Sequence, residues 1–437
     1  MPSNKGNPMK IYIHTLGCKV NQYESQALET LLSQRGHSIS ATPENCDAMI
    51  INSCAVTAES VRKSRQAVRR LRAESPGAII VVCGCWPQIE PSSPDALGAD
   101  VIYGSGDRVA LVADIERAVS EKVHISNVDN VMSRRVFEPL PAGSSATRTR
   151  ALLKLEDGCV NFCSYCIIPY TRGPVRSLPV VDAAAQARRL AADGYREIVL
   201  TGIEIASYGR DLPGKPTLSD AVTAVAEAAP DVRIRLGSLE PRIITEDFCR
   251  SISAHKNVCP HFHLSLQSGC DETLSRMKRK YDTARFRQSV DLLRRYFSGC
   301  GLTADLIVGF PGETELEFVK TLIFVEECQF SSMHIFPYSV RKGTVAASLP
   351  DQVDNAEKHR RASRAAAVAE RTKQAFLDAQ TGSVQSVLFE QETNGFWSGH
   401  AGNYALVRAK GDNLHNAVIN IQIMGNKCGA LLGDVIL

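Results

Sequence analysis

Glu156-Asp157-Gly158-Cys159-Val160-Asn161-Phe162-Cys163-Ser164-Tyr165-Cys166-Ile167-Ile168-Pro169 is the stretch on which the reading of this chain turns. Its cysteines follow a C-x3-C-x2-C spacing, which suits three thiolates on one iron–sulfur cube. A [4Fe–4S] cluster held by only three protein sulfurs keeps one iron open to a small molecule, as catalytic metal sites keep an open position. Structural zinc and ordinary core cysteines are the alternatives. Zinc wants a fourth Cys or His nearby, and the next cysteine is Cys249. Core cysteines have no reason to bunch in one loop between a glycine and a proline.

Outward from this loop, strands and helices alternate. Ala151–Leu155 is a strand that leads into the cysteines, and further strands are expected at 197–200, 232–236, 262–266, 302–308 and 333–336. Helices are expected at 181–192, 218–229, 244–254, 286–296 and 315–327. Six such repeats predict an α/β domain built as a partial (β/α)6 barrel, with its site at the carboxyl ends of the strands. The cysteine loop lies at that end. So do Thr201, Gly202, Ser238, Gln267 and Gly309, for which simple turn chemistry is the alternative. His261 and His263 share one face of a strand, as a metal pair or as satisfied barrel histidines.

The triplet, with Tyr165 before its third cysteine, resembles the signature of the radical S-adenosylmethionine (SAM) enzymes. The resemblance implies that Cys159, Cys163 and Cys166 hold the cluster and that its open iron binds SAM. Reduction then splits SAM to methionine and a 5′-deoxyadenosyl radical; the chemistry belongs to the cofactor and the binding to the protein. Tyr165, Thr201, Gly202, Ser238, Gln267 and Gly309 become cofactor-binding candidates. Glu204 lies one residue beyond the family's usual acid.

The N-terminal third alternates in the same way. Strands at 11–16, 48–52 and 78–82, with helices at 21–35 and 111–119 and a basic helix after the second strand, predict a doubly wound parallel sheet. Each strand runs into a cysteine: Cys18, Cys54, and Cys83 or Cys85. Strand ends share one edge of such a sheet, so three thiolates converge there on a second three-ligand [4Fe–4S] site. Thr15-Leu16-Gly17-Cys18-Lys19-Val20-Asn21-Gln22-Tyr23-Glu24-Ser25, Asn52-Ser53-Cys54-Ala55-Val56-Thr57 and Gly84-Cys85-Trp86-Pro87-Gln88 resemble the three motifs of the radical SAM methylthiotransferases. That resemblance assigns the ligand role to Cys85 over Cys83.

Residues 121–144 have the composition of a mobile linker, with Pro139, Pro141 and Gly143-Ser144-Ser145. Beyond Gly382, four short strands at 384–390, 404–409, 417–423 and 430–437 predict a small β-barrel. It resembles the RNA-binding TRAM domain, with Phe396 and Trp397 as base-stacking candidates and Tyr404 as a barrel-core aromatic. The expected domains are 9–120 for the auxiliary cluster, 121–144 for the linker, 145–375 for the radical SAM core and 378–437 for the TRAM-like barrel.

The 437 residues carry a formal net charge of +3, so partners are read from its distribution. Arg62, Lys63, Arg65, Arg69, Arg70 and Arg72 form one basic run, and Lys358, Arg360, Arg361, Arg364, Arg371 and Lys373 another. Both suit phosphate neutralisation or a solvated helix face. Arg172 and Arg176, in a segment that also resembles the family, are candidates for substrate phosphate or for salt bridges. The family's basic residues are replaced at Pro174 and Leu178. There is no apolar run of eighteen residues, and Met1–Lys10 is polar, so neither a membrane span nor a signal peptide is expected. Fourteen clustered cysteines then favour metal in the reducing cytoplasm over disulfides.

The resemblance implies two [4Fe–4S] clusters, SAM, a tRNA substrate, a reductant such as flavodoxin or ferredoxin, and a sulfur donor. Lys19-Val20-Asn21-Gln22-Tyr23-Glu24 and Leu200-Thr201-Gly202-Ile203 are most similar to the branch that methylthiolates C2 of N6-threonylcarbamoyladenosine at tRNA position 37. Isopentenyladenosine in tRNA and a ribosomal-protein aspartate are the substrates of the other branches. An iron–sulfur redox carrier and a zinc-containing RNA-binding protein are the non-enzymatic alternatives.

Overall fold

A computed structural model describes residues 8–143 and 149–436. Residues 1–7, Ser144, Ser145 and Leu437, to which several expectations extend, lie outside it. The N-terminal strands are β1 (Lys10–Thr15), β2 (Ser38–Ser40), β3 (Ala48–Ser53), β4 (Ile79–Gly84), β5 (Val101–Tyr103) and β6 (Ile125–Asn127). All pair in parallel, in the order β2-β1-β3-β4-β5-β6. Helices α1 (Lys19–Gln34), α2 (Ala58–Glu74), α3 (Cys85–Ile89), α4 (Ser92–Asp95) and α5 (Arg108–Glu121) lie between them. Every residue of β3 and β4 is buried. Continuous apolar strands need cover on both faces. One core, with Leu28, Leu32, Leu111 and Ile115, covers one face; another, with Val61, Val68, Leu71 and Trp86, covers the other. The strand order reverses between β1 and β3, the place where such sheets open a crevice.

The linker expectation for 121–144 is corrected. β6 lies within it and extends the sheet, and Val131, Phe137, Leu140 and Ala142 are buried. Tyr23 Oη donates to Leu140 O at 2.7 Å. Scattered apolar residues without a period anchor this segment, so composition alone misread it.

The central domain has β7 (Arg150–Asp157), β8 (Arg176–Ser177), β9 (Glu197–Gly202), β10 (Arg233–Leu236), β11 (Ser238–Leu239), β12 (His261–Gln267), β13 (Gly301–Val308) and β14 (Ser332–Pro337). Its helices are α6 (Ile168–Arg172), α7 (Val180–Ala192), α8 (Leu218–Ala228), α9 (Glu246–Ser253), α10 (Asp271–Arg276), α11 (Thr283–Tyr296), α12 (Glu315–Cys328) and α13 (Asn355–Asp378). The strands form two sheets, β10-β9-β7-β8 and β11-β12-β13-β14, with only Gly237 between β10 and β11. The six predicted strands are thus the six parallel staves of an open barrel. β8, a two-residue antiparallel edge, was not expected.

The second basic run lies on α13 and clamps α12. Arg361 pairs with Glu313 and Glu357, Arg364 with Glu315 and Arg371 with Glu326, while Lys358 is buried. On α2, Arg62, Arg65 and Arg72 pair with Glu59, Glu90 and Asp100.

The C-terminal strands β15 (Val384–Thr393), β16 (Phe396–Ala401), β17 (Leu406–Ala409), β18 (Val418–Lys427) and β19 (Ala430–Val435) close into a barrel, β15-β16-β17-β19-β18. The expected strands omitted β16. Asn394-Gly395, a strong hairpin signal, turns β15 into it. This barrel docks at the amino ends of the central strands. Arg150 makes two 3.0 Å bonds to Glu390, and Arg235 Nη1 donates to Gly402 O at 2.9 Å. Tyr404, expected in the barrel core, stacks instead between His261 and His400, with both centroid distances 4.6 Å. Its φ of 70° places it in a turn at the domain joint.

Candidate active site

The first cysteine motif is a latch built on a reversal of the chain. Gly17 has φ +110°, and a Cβ there would lie 2.8 Å from Cys54 Cβ. Only glycine lets the Cys18 loop approach Cys54 this closely. Asn21 Nδ2 donates to Leu16 O and to Ser53 O, each at 2.9 Å, and Asn52 Nδ2 donates to Asn21 O at 2.9 Å. These bonds tie the ends of β1 and β3 together. Cys85 opens α3 from the end of β4. Cys83, two residues earlier, is fully buried in the core beside Leu111 and Val112.

Cys18, Cys54 and Cys85 are brought close enough to interact electrostatically. Burial, and then the Cys85 thiolate, push Cys54 up to about 11. Cys18 is raised too, by desolvation of its thiol and then by Cys85, although the residue keeps an exposed edge on the cavity side. A cationic cluster that takes these sulfurs as thiolates relieves both costs. The donor set therefore fits a three-thiolate iron–sulfur cube.

The central loop is built on the same device. Gly158 has φ +96°, and a Cβ there would lie 2.0 Å from Pro174 O. Cys159 N donates to Gly173 O at 2.9 Å, and Asn161 Nδ2 donates to Glu204 Oε2 at 3.0 Å. Arg279 Nη1 donates to Cys163 Sγ at 3.2 Å. Burial raises Cys166 to about 12, and Cys163 adds to it; Cys159 is raised by burial, with Glu204 and Cys166 contributing. Three mutually opposed thiols in one loop again fit a cluster that draws off their protons. Gly158→Ala is expected to strip the central cluster, halving iron per chain and cutting SAM cleavage at least tenfold; unchanged iron would count against this account of the loop.

Between the two loops lies a cavity of about 630 Å³. Gly17, Cys18, Lys19, Val56 and Thr57 line its N-terminal wall. Tyr165, Thr201, Gly202, Ser238 and Gln267, five of the cofactor candidates, line the opposite wall. Gly309 does not line it. A Cβ there would lie 2.4 Å from Lys358 Cγ, so its close neighbour is α13.

The phosphate expectation for Arg172 and Arg176 is corrected too. Both are buried. Arg172 pairs with Glu24, donates to Asn21 Oδ1 at 2.9 Å and, through Nε, to Cys85 Sγ at 3.4 Å. Arg176 lies 3.5 Å from Asp157 and donates to Pro174 O at 2.6 Å. Each is held by carboxylates that would otherwise be buried unpaired. Phe396 is exposed, with Lys410 Nζ 5.4 Å from its ring centroid, and Trp397 packs partly against the barrel core.

Sequence reasoning missed Glu24, Arg108, Lys154 and Asp157, which join the two domains, and Arg279, which bonds a cluster cysteine. It also missed Asp305 and His334. His263 Nε2 and His334 Nδ1 each lie 3.2 Å from an oxygen of Asp305, on the cavity wall. His261 stacks on Tyr404, and both strand histidines bond Thr303 Oγ1, at 3.2 and 2.9 Å. Charged residues isolated in sequence gave no signal of these contacts.

Two family descriptions match this chain: "Uncharacterized protein family UPF0004" over residues 10–103 and "Radical SAM superfamily" over residues 154–325. The chain is 36% identical to the threonylcarbamoyladenosine tRNA methylthiotransferase MtaB of Bacillus subtilis, over 95% of this chain and 93% of that protein. This chain belongs to the radical SAM methylthiotransferases. It is 31% identical to a tRNA-2-methylthio-N(6)-dimethylallyladenosine synthase of Thermoanaerobacter pseudethanolicus, over 99% of this chain and 94% of that one. Among solved structures, the methyltransferase fold with cobalamin and a [4Fe–4S] cluster bound, TsrM from Kitasatospora setae, superposes with a TM-score of 0.56 at 16% identity. That match covers 78% of this methylthiotransferase and 77% of TsrM, and shares the fold.

Proposed function

We propose that this enzyme methylthiolates C2 of N6-threonylcarbamoyladenosine at tRNA position 37, beside the anticodon. The observation that carries the reading is a pair of cysteine triads, one from each domain, whose loops contribute Cys18 and Tyr165 to a shared cavity. The relative with 36% identity acts on the threonylcarbamoyl nucleoside by name, which favours that branch.

In this reading Cys159, Cys163 and Cys166 hold the radical-generating cluster, and Cys18, Cys54 and Cys85 hold the auxiliary one. When bound, the two clusters and SAM supply the radical, the sulfur and the methyl group. The chain's own residues orient and insulate. Tyr165, Thr201, Gly202, Ser238 and Gln267 hold SAM against the central loop. Arg279 and Arg172 each donate to a ligand sulfur, stabilising its negative charge. Val56, Ile307, Phe336 and Pro337 give the cavity apolar walls that exclude water from reactive species.

The target base must leave its stack to enter a cavity of this depth. Lys63 and Arg69 on the exposed face of α2, with Phe396 and Trp397, are the proposed RNA contacts. Phosphate contacts by surface bases position such a substrate without selecting sequence. No helix among the described residues is long and apolar enough to cross a membrane. A cytoplasmic enzyme served by a flavodoxin or ferredoxin and a sulfur donor completes the reading. Nucleoside analysis of tRNA from a strain lacking this protein is expected to show loss of the methylthio derivative of threonylcarbamoyladenosine. Loss of the isopentenyl derivative instead would reassign the branch.

A further inference from the structure

Most cations near the cavity are spoken for. Arg172, Arg176 and Lys154 are buried against Glu24 and Asp157, and Arg279 bonds Cys163. Lys19 differs: it lines the cavity, yet no hydrogen bond or ion pair holds it among the described residues. It follows Cys18 directly, so its ammonium belongs to the wall that carries the auxiliary cysteines. His263, Asp305 and His334 line the same cavity on the floor of the barrel, and Lys19 also borders a second cavity with Arg150, Glu390 and Tyr404.

The other side of that floor is arranged as well. Asp305 accepts from His263 and His334 at 3.2 Å each, and His263 Nδ1 lies 2.9 Å from Thr303 Oγ1. Both ring nitrogens of His263 are therefore occupied. His334 is bonded to Asp305 through Nδ1, its Nε2 has no hydrogen-bond partner among the described residues, and the residue lines the cavity. The Asp305 bond holds its imidazole above the ordinary value, against burial. An unpartnered ammonium and a free imidazole nitrogen thus share one cavity whose remaining walls are largely apolar.

We propose that Lys19 and His334 form a subsite for a carboxylate on the N6 substituent of the target adenosine. The assignment rests on the function proposed above and deepens it: the threonylcarbamoyl group ends in a free carboxylate, whereas a dimethylallyl group is wholly apolar. Lys19 supplies the charge and His334 Nε2 a second donor. Asp305 lines the same cavity, and His263 and His334 each face one of its oxygens, so its negative charge is met by the two imidazoles. Lys19 is exposed in the free chain; a bound base that covers it but lacks the carboxylate leaves the ammonium without a partner, which is the usual source of strong discrimination against an isostere. Lys19 is thus a specificity-determining residue rather than one that touches the reacting carbon.

The test uses the full-length, reconstituted enzyme and three synthetic anticodon stem-loops. One carries threonylcarbamoyladenosine, one its carboxyl methyl ester, and one dimethylallyladenosine. Binding is read by fluorescence anisotropy, and methylthiolation is measured in parallel. The wild type is expected to bind the acid about ten- to a hundredfold more tightly than the ester, the range of a charge-assisted contact. Lys19→Met is expected to bring that ratio close to one, and Lys19→Arg to restore most of it. Equal wild-type binding of acid and ester overturns the subsite even if Lys19→Met does not fold. A ratio that survives in Lys19→Met overturns the role of Lys19. A wild type that methylthiolates the acid and the ester alike refutes this inference alone. One that modifies only the dimethylallyl loop refutes the proposed function with it.

Discussion

Cys54→Ala will stop methylthio insertion while leaving SAM cleavage in place. Cys54 follows β3 and lies beside Cys18 and Cys85, whereas SAM is assigned to the opposite wall with Cys159, Cys163 and Cys166. Two thiolates do not hold a cube that needs three, so iron should fall from about eight to about four atoms per chain. Cys163→Ala should give the same iron content with the opposite activity: no 5′-deoxyadenosine and no product. The paired result is the informative one, because a single common cluster predicts that both variants lose both activities. Release of 5′-deoxyadenosine under dithionite, with iron analysis and nucleoside chromatography, separates the outcomes. Methylthiolated product from Cys54→Ala would falsify the auxiliary-site assignment.

The architecture was legible wherever apolar periodicity was strong. β3 and β4, read as continuous buried runs, lie at the centre of the N-terminal sheet, and all six central staves fall where the alternation placed them. Cys85 rather than Cys83 was chosen by resemblance; both are buried, Cys83 in the core beside Leu111 and Cys85 in the core beside Trp86. The short elements β2, β5 and β6 were missed because three residues carry too little pattern to separate from a loop. Phe137 and Leu140 anchor a segment whose prolines and glycine suggested mobility.

Side-chain roles were less legible than backbone. Arg172 and Arg176 stand in a basic segment next to a metal loop, and sequence gives phosphate contact and salt bridge equal footing. What decides between them is the burial of Glu24 and Asp157, from helix α1 and strand β7, more than a hundred residues apart in the chain. The same holds for Gly309, whose close neighbour proves to be α13. Long-range pairing of isolated charges leaves no periodicity, so only the folded chain reveals it.

That buried network carries the second large effect. Glu24→Gln is expected to destabilise the protein by about 3–5 kcal/mol, the usual cost of removing one partner from a buried ion cluster. Burial alone would raise the Glu24 carboxyl; Arg172, Arg108 and Lys154 outweigh it and bring the group down to about 2. A carboxyl depressed in this way contributes stability above its ordinary value of 4.5, and the contribution is lost as pH falls toward about 2. The glutamine keeps the shape and removes the charge. Lys154, Arg172 and Arg176 are then left with Asp157, while Arg108 loses the carboxylate it is ion-paired with. The unfolding midpoint near neutral pH should drop by about 3–5 °C. Because Arg172 links Glu24 to the Cys85 sulfur, auxiliary iron should fall with it while central iron is retained. Anaerobic thermal melts and iron analysis check both arms. A melting shift of less than about 2 °C, within the scatter of a surface substitution, would show that the cluster of charges is not what binds the two domains together.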